Sequence, residues 1–149
     1  MKKSGILNAQ LLCELTKLRH KDKLLICDAG FPIPAGGNVV DISLVAGLPS
    51  LPQTLQAVVQ ELIFEDYAVM SAMPEKNPEY YRLVTELFQA QSHVEVPMDE
   101  FIALAQDVKL FIRTGELRPA SNLMLTSASG TKPAVERYNV TLEQLPDNL

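Results

Sequence analysis

Residues 18–34, "LRHKDKLLICDAGFPIP", hold a short apolar run between His20 and Asp28, two side chains able to exchange protons or bind hydroxyls. Leu24–Cys27 shows no polar alternation. A strand with one wet face would place a polar residue at every second position, so an unbroken run predicts a strand covered on both faces, as in a parallel sheet. Gly30 lends the following loop freedom, and Pro32 and Pro34 stiffen it. Ligands of open α/β sheets gather outside the carboxyl ends of the strands, and Asp28 stands at such an end.

Outward from this strand, helical and extended patterns alternate. Leu11, Leu15 and Leu18 share a helical face behind Asn8, a suitable N-cap. "LPQTLQAVVQELIFE" (51–65) predicts a helix with Pro52 in its first turn, and "YAVMSAM" (67–73) a strand. "NPEYYRLVTELFQAQ" (77–91) predicts a helix capped by Asn77 with Pro78 at its first position. "HVEVP" (93–97) reads as a short strand, "MDEFIALAQ" (98–106) as a short helix, and "VKLFI" (108–112) and "NLMLTS" (122–127) as strands. The alternation defines an α/β class, a single compact domain over residues 1–128 with a mainly parallel sheet flanked by helices. Residues 129–149 read as a C-terminal extension and not an independent domain. Tyr138, Val140 and Leu142 are able to dock it on a surface or on a neighbouring subunit.

Composition narrows the function. An apolar fraction of 47% in 149 residues is that of a globular domain. A net charge of −5 speaks against a nucleic-acid partner. No apolar stretch approaches the ~20 residues of a membrane span, so no membrane partner is expected. Asn8, Gln10 and Glu14 interrupt what would have to be a secretory core, and a cytoplasmic location is expected. Cys13 and Cys27 form no disulfide framework and are read as two small buried hydrophobes. His20 and His93 lack partners at ligand spacing, so no metal is expected. "AGFPIPAGGNVV" (29–40) contains neither GxGxxG nor GxxxxGK[ST], which removes nucleotide binding.

Three polar residues remain as candidates. His20 follows the first helix, and an imidazole exchanges protons near neutral pH. Asp28 closes the buried strand. Asn122 opens another strand with an amide that both donates and accepts. A strand over 23–28, rising about 3.3 Å per residue, separates His20 from Asp28 by roughly 15 Å. The two meet only if the strand is shorter, if the loop folds back, or if neighbouring subunits each supply one.

Several segments together carry a resemblance. "MKKSGILN" (1–8), "HxD" (20–22), "CDAGFPIP" (27–34), "VDISLVAGLPS" (40–50), "IRTGE" (112–116) and "PASN" (119–122) resemble the D-ribose pyranase and L-fucose mutarotase family, the ribose branch most. The resemblance runs in order from residue 1 to about residue 127. It implies a cofactor-free isomerase that interconverts cyclic forms of a monosaccharide, ribose or a related sugar. It also implies a homo-oligomeric ring, a decamer of two stacked pentamers with sugar sites at subunit interfaces. His20 becomes the general acid/base, Asp28 orients the sugar, and Asn122 is the pocket asparagine. The chain departs from the pattern at four positions. Arg19 replaces a glycine, Met98 a second pocket histidine, and Ala120 and Ser121 the first two residues of a Tyr-Ala-Asn triplet. Met98, Ala120 and Ser121 thus enter the expected substrate-binding set as altered positions. The alternative is a non-catalytic or specificity-shifted sugar-binding homologue that keeps the oligomeric scaffold.

Overall fold

Leu24, Leu25, Ile26 and Cys27 of strand β1 (Lys23–Cys27) are all fully buried. Successive side chains leave a strand on opposite faces, so the sheet is covered on both. The computed structural model describes residues 1–140. Among them, β1 joins β2 (Val39–Asp41), β3 (Phe64–Met70), β4 (Ser92–Val96), β5 (Val108–Arg113) and β6 (Leu123–Ser127) in one sheet of order β2-β5-β1-β6-β3-β4. Helix α1 (Ala9–Thr16) packs on β2 and β5, α2 (Leu51–Val59) on β1, and α5 (Met98–Leu104) on β3. Two further helices, α3 (Met73–Lys76) and α4 (Pro78–Leu87), follow β3. No helix among the described residues is long and apolar enough to cross a membrane.

The sheet is mainly parallel, as expected, with one exception. β2, β5 and β1 pair in parallel, as do β3 and β4, whereas β6 runs antiparallel to both β1 and β3. The start of β6 therefore lies beside the carboxyl ends of its two neighbours, with Leu123 opposite Ile26 and Val69.

Local chemistry accounts for most element boundaries. Asn8 caps α1 by accepting from Leu11 N at 2.9 Å. Ser50 and Gln53 form a reciprocal capping box at the start of α2. Other boundaries differ from the sequence reading. α2 ends at Val59 and Phe64 already belongs to β3, because the apolar residues at 62–64 satisfy helical and extended spacing equally. β3 stops at Met70, where Pro74 in the first turn of α3 draws residues 73–76 into a helix. Asn77 makes no side-chain cap for α4; its backbone N–H bonds back to Met73 O and closes α3. Cys27 is buried as expected, but Cys13 is exposed: it sits on the face of α1 opposite Leu11 and Leu15.

The first part of the extension carries α6 (Lys132–Tyr138). Gln91 Nε2 donates to Tyr138 O at 3.2 Å, and Val140 packs partly buried against the core. Leu142 lies outside the described residues.

Gly115 explains the glycine of "IRTGE". Its N–H donates to Pro49 O, its carbonyl accepts from Gly47 N, and a Cβ there would collide with the carbonyl oxygens of Val45 and Leu48. Gly115→Ala is expected to cost about 1–3 kcal/mol through overpacking, read as a lower denaturation midpoint in urea with an unchanged m-value.

Candidate active site

The reversal of β6 brings Asn122 to Asp28 across 94 residues of sequence. Asp28 N donates to Asn122 Oδ1 at 2.8 Å, and Asn122 Nδ2 donates to Asp28 Oδ2 at 2.7 Å. Gly30 N donates to Asp28 Oδ1 at 2.8 Å, so the carboxylate also closes its own turn. Asn122 is almost fully buried, and Asp28 is half-buried. The pair borders a cavity of about 340 Å³ at the carboxyl ends of β1 and β3. Asn122 retains one N–H, and Asp28 retains lone pairs, for hydroxyl groups of a ligand.

The rest of the cavity is largely apolar. Phe31, Met70, Met98, Ile102 and Ala120 contribute to it, with Lys76 adding an ammonium group. Met98 opens α5 and is 61% exposed, which leaves it at the rim. Ala120 adopts φ +52°, a left-handed conformation uncommon for a residue with a Cβ. Ser121 turns away from the ligand side. It is fully buried, its hydroxyl donates to Arg118 O at 2.9 Å, and it is absent from the cavity lining.

Glu116 builds the wall that carries Ala120. Its Oε1 accepts from Leu117 N, Arg118 N and Arg118 Nε, and its Oε2 from Leu51 N and the Arg118 guanidinium. Burial pushes this carboxyl up, but Arg118 and the backbone donors together outweigh it and hold it at about 2. Cys27, beneath Asp28, is pushed up to about 12 by burial and stays a thiol.

His20 stands at the other end of β1. Its side chain is half-exposed, and its Nε2 lies 3.0 Å from Glu65 Oε2. It borders a separate cleft of about 440 Å³, to which Val135 and Asn139 of the extension contribute. Five strand residues thus stand between His20 and Asp28 in one chain, a separation on the order of 15 Å. Of the three polar candidates, the fold joins Asp28 to Asn122 and leaves His20 apart.

Asp22, the last residue of "HxD", braces the turn. It accepts from Arg19 N and pairs with Lys109. Glu65, Glu116, Lys76, Phe31 and Ile102 escaped the sequence reading as site residues. Glu116 and Phe31 had a signal, their places in "IRTGE" and "CDAGFPIP".

An open α/β sheet with a small cavity at its strand ends, floored by a carboxylate–amide pair, defines a scaffold for a small hydroxyl-bearing ligand. The chain belongs to the RbsD / FucU transport protein family, whose model matches residues 1–129. A D-ribose pyranase of Kosmotoga olearia is 39% identical over 128 residues, covering 85% of this chain and 97% of the relative. A D-ribose pyranase of Haemophilus influenzae is 41% identical over 135 residues, with the same coverage. The structure of Bacillus subtilis RbsD complexed with D-ribose superposes with a TM-score of 0.83 at 36% identity, covering 88% of this chain and all of that one. Helix α6 lies beyond the matched residues.

The low Glu116 value has a stability consequence. A carboxyl held at about 2 when folded and near 4.5 when unfolded contributes about 3 kcal/mol, fully present above pH ~4.5 and lost as pH falls towards 2. Glu116→Gln is expected to lower unfolding free energy by roughly 2–3 kcal/mol at pH 7. The gap from wild type should narrow steadily in denaturant titrations between pH 4.5 and 2.

Proposed function

We propose that this chain is a cytoplasmic isomerase that interconverts the cyclic forms of a monosaccharide, with D-ribose the leading substrate, and needs no cofactor. The observation that carries the reading is the reciprocal Asp28–Asn122 pair at the floor of a sugar-sized cavity. It is supported by relatives named D-ribose pyranase that match nearly their whole length.

The chemistry is proton transfer. The neutral imidazole of His20 takes the proton of the anomeric hydroxyl, and the bond between the anomeric carbon and the ring oxygen breaks with its electron pair on that oxygen. The imidazolium then returns the proton to the ring oxygen, giving the open-chain carbonyl form. Reclosure on the other face, or through another hydroxyl, reverses these transfers. Asp28 and Asn122 hold the sugar hydroxyls and fix the orientation of the ring. Met98, Ala120, Phe31 and Ile102 face its less polar side.

The separation within one chain favours a site made from two copies, with His20 of one subunit reaching the Asp28–Asn122 cavity of the next. A closed ring, proposed as a decamer of two pentamers, supplies such contacts repeatedly. Residues 1–128 form the working domain in this reading, and the extension is an appendage to it.

NMR magnetization exchange between sugar forms tests the activity across a panel headed by ribose. His20→Ala is expected to remove about 10²–10⁴-fold of the catalysed exchange. If no sugar exchanges faster than in buffer but one binds, the binding-only alternative favoured by Met98 and Ala120 replaces this reading.

Mixing tests the shared site. His20→Ala and Asp28→Ala subunits, each inactive alone, are co-expressed in equal amounts. Random assembly should leave roughly a quarter of the sites with both groups intact and restore that share of activity. No recovery in the mixed oligomer would place both groups in one chain.

A further inference from the structure

Three segments of the family pattern, "CDAGFPIP" (27–34), "VDISLVAGLPS" (40–50) and "IRTGE" (112–116), meet at one side chain. Arg113 closes β5, opposite Cys27 of β1 on one side and Asp41 of β2 on the other. Its Nε donates to Ala29 O at 3.0 Å, and its Nη1 donates to Asp41 Oδ2 at 2.7 Å and to Ser43 Oγ at 3.0 Å. A guanidinium is a planar fork with donors in fixed directions, so anchoring one arm at Asp41 fixes where the other points. Arg113 is absent from the lining of the Asp28 cavity, so any effect it has there passes through other groups.

Ala29 is the intermediary. Its N–H donates to Glu116 O at 2.9 Å and its carbonyl accepts from Arg113, so the backbone is held on both sides of it. The amide that joins Ala29 to Gly30 is trans. Such an amide is planar, with its C=O and N–H on opposite edges, and fixing the direction of one fixes the other. The carbonyl edge meets Arg113, and the N–H edge, which belongs to Gly30, donates to Asp28 Oδ1 at 2.8 Å. Oδ2 of the same carboxylate accepts from Asn122. A continuous line of hydrogen bonds thus runs from Asp41 through Arg113, the Ala29–Gly30 amide and Asp28 to Asn122. The cation on the carbonyl also polarises the amide and strengthens its N–H as a donor.

We propose that Arg113 is a positioning residue for Asp28: it aims the Gly30 N–H at Oδ1 and so sets the angle at which the carboxylate meets the sugar hydroxyls. The assignment rests on the reading of Asp28 as a sugar-binding residue. Thr114 completes the anchor, since its N–H and its hydroxyl both donate to Cys27 O, at 3.0 and 2.8 Å, directly before Asp28.

The test follows catalysed sugar exchange in the full-length protein over a range of ribose concentrations, with urea unfolding alongside. Arg113→Lys keeps the charge but loses the fork. It should raise KM about 10-fold, with kcat per folded subunit within about two-fold of wild type. Asp41→Ala removes the far anchor of the guanidinium at a half-exposed position, which keeps the proposal testable should Arg113→Lys fail to fold. It should raise KM roughly 2–5-fold, and Asp41→Asn, which restores an acceptor, should return most of that loss. A brace with no positioning role would lower the denaturation midpoint and the active fraction but leave KM unchanged. Unchanged KM in the Arg113 and Asp41 variants, while Asp28→Ala is inactive, would overturn the assignment and leave the role of Asp28 intact. An Asp28→Ala protein with wild-type KM, or a wild-type protein without catalysed exchange, would remove both.

Discussion

The hydrogen-bonded exchange between Asp28 and Asn122 organises everything around the cavity. It needs a strand start and a strand end side by side, which an all-parallel sheet does not provide between neighbours. The reversal of β6 between β1 and β3 supplies it. With the amide braced against the carboxylate on one side, both groups keep capacity on the other. A buried polar pair satisfied in this way is rigid, which suits recognition of a ligand that differs from water chiefly in how its hydroxyl groups are spaced. The surrounding wall is held as firmly, since Glu116 ties the loop before β6 to the start of α2.

At the opposite end the same sheet serves a different purpose. Here the ladders are broken at Lys109 and Glu65, and each extra residue delivers a charged side chain to the turn containing His20. Rigidity at one end comes from hydrogen-bond complementarity and at the other from ion pairs around a tight turn. Helix α6 borders this second end through Val135, so this helix, beyond the residues the family model matches, lies beside His20 and away from the Asp28 cavity.

Much of this architecture was legible in the residues. The unbroken run 24–27 marks a doubly covered strand, and Asp28 marks its end, because apolar burial and a loop carboxylate each leave a direct trace. The length of that run even implies that His20 and Asp28 stand apart. The direction of β6 leaves no such trace, since "LMLTS" reads identically in either orientation and only its partners decide. Glu65 was hidden for another reason: a helical pattern runs through it, and a bulge is a property of two strands together. Cys13 was misread because apolar neighbours along the chain were taken for neighbours in space, although a helix turns them to opposite sides. Arg19, Met98, Ala120 and Ser121 were visible as departures from a family pattern, but only coordinates separate Ala120 at the cavity wall from Ser121 turned inward.

β6 touches both ends. Asn122 precedes it at one, and at the other Ser127 accepts from Lys21 N and donates to Asp22 O. The strand is therefore a gauge that meters out the span from the imidazole to the carboxylate. Adding one residue to such an element turns every following side chain to the wrong face, so regular growth is confined to paired steps of roughly 7 Å. The span is quantised, and finer adjustment falls to bulges.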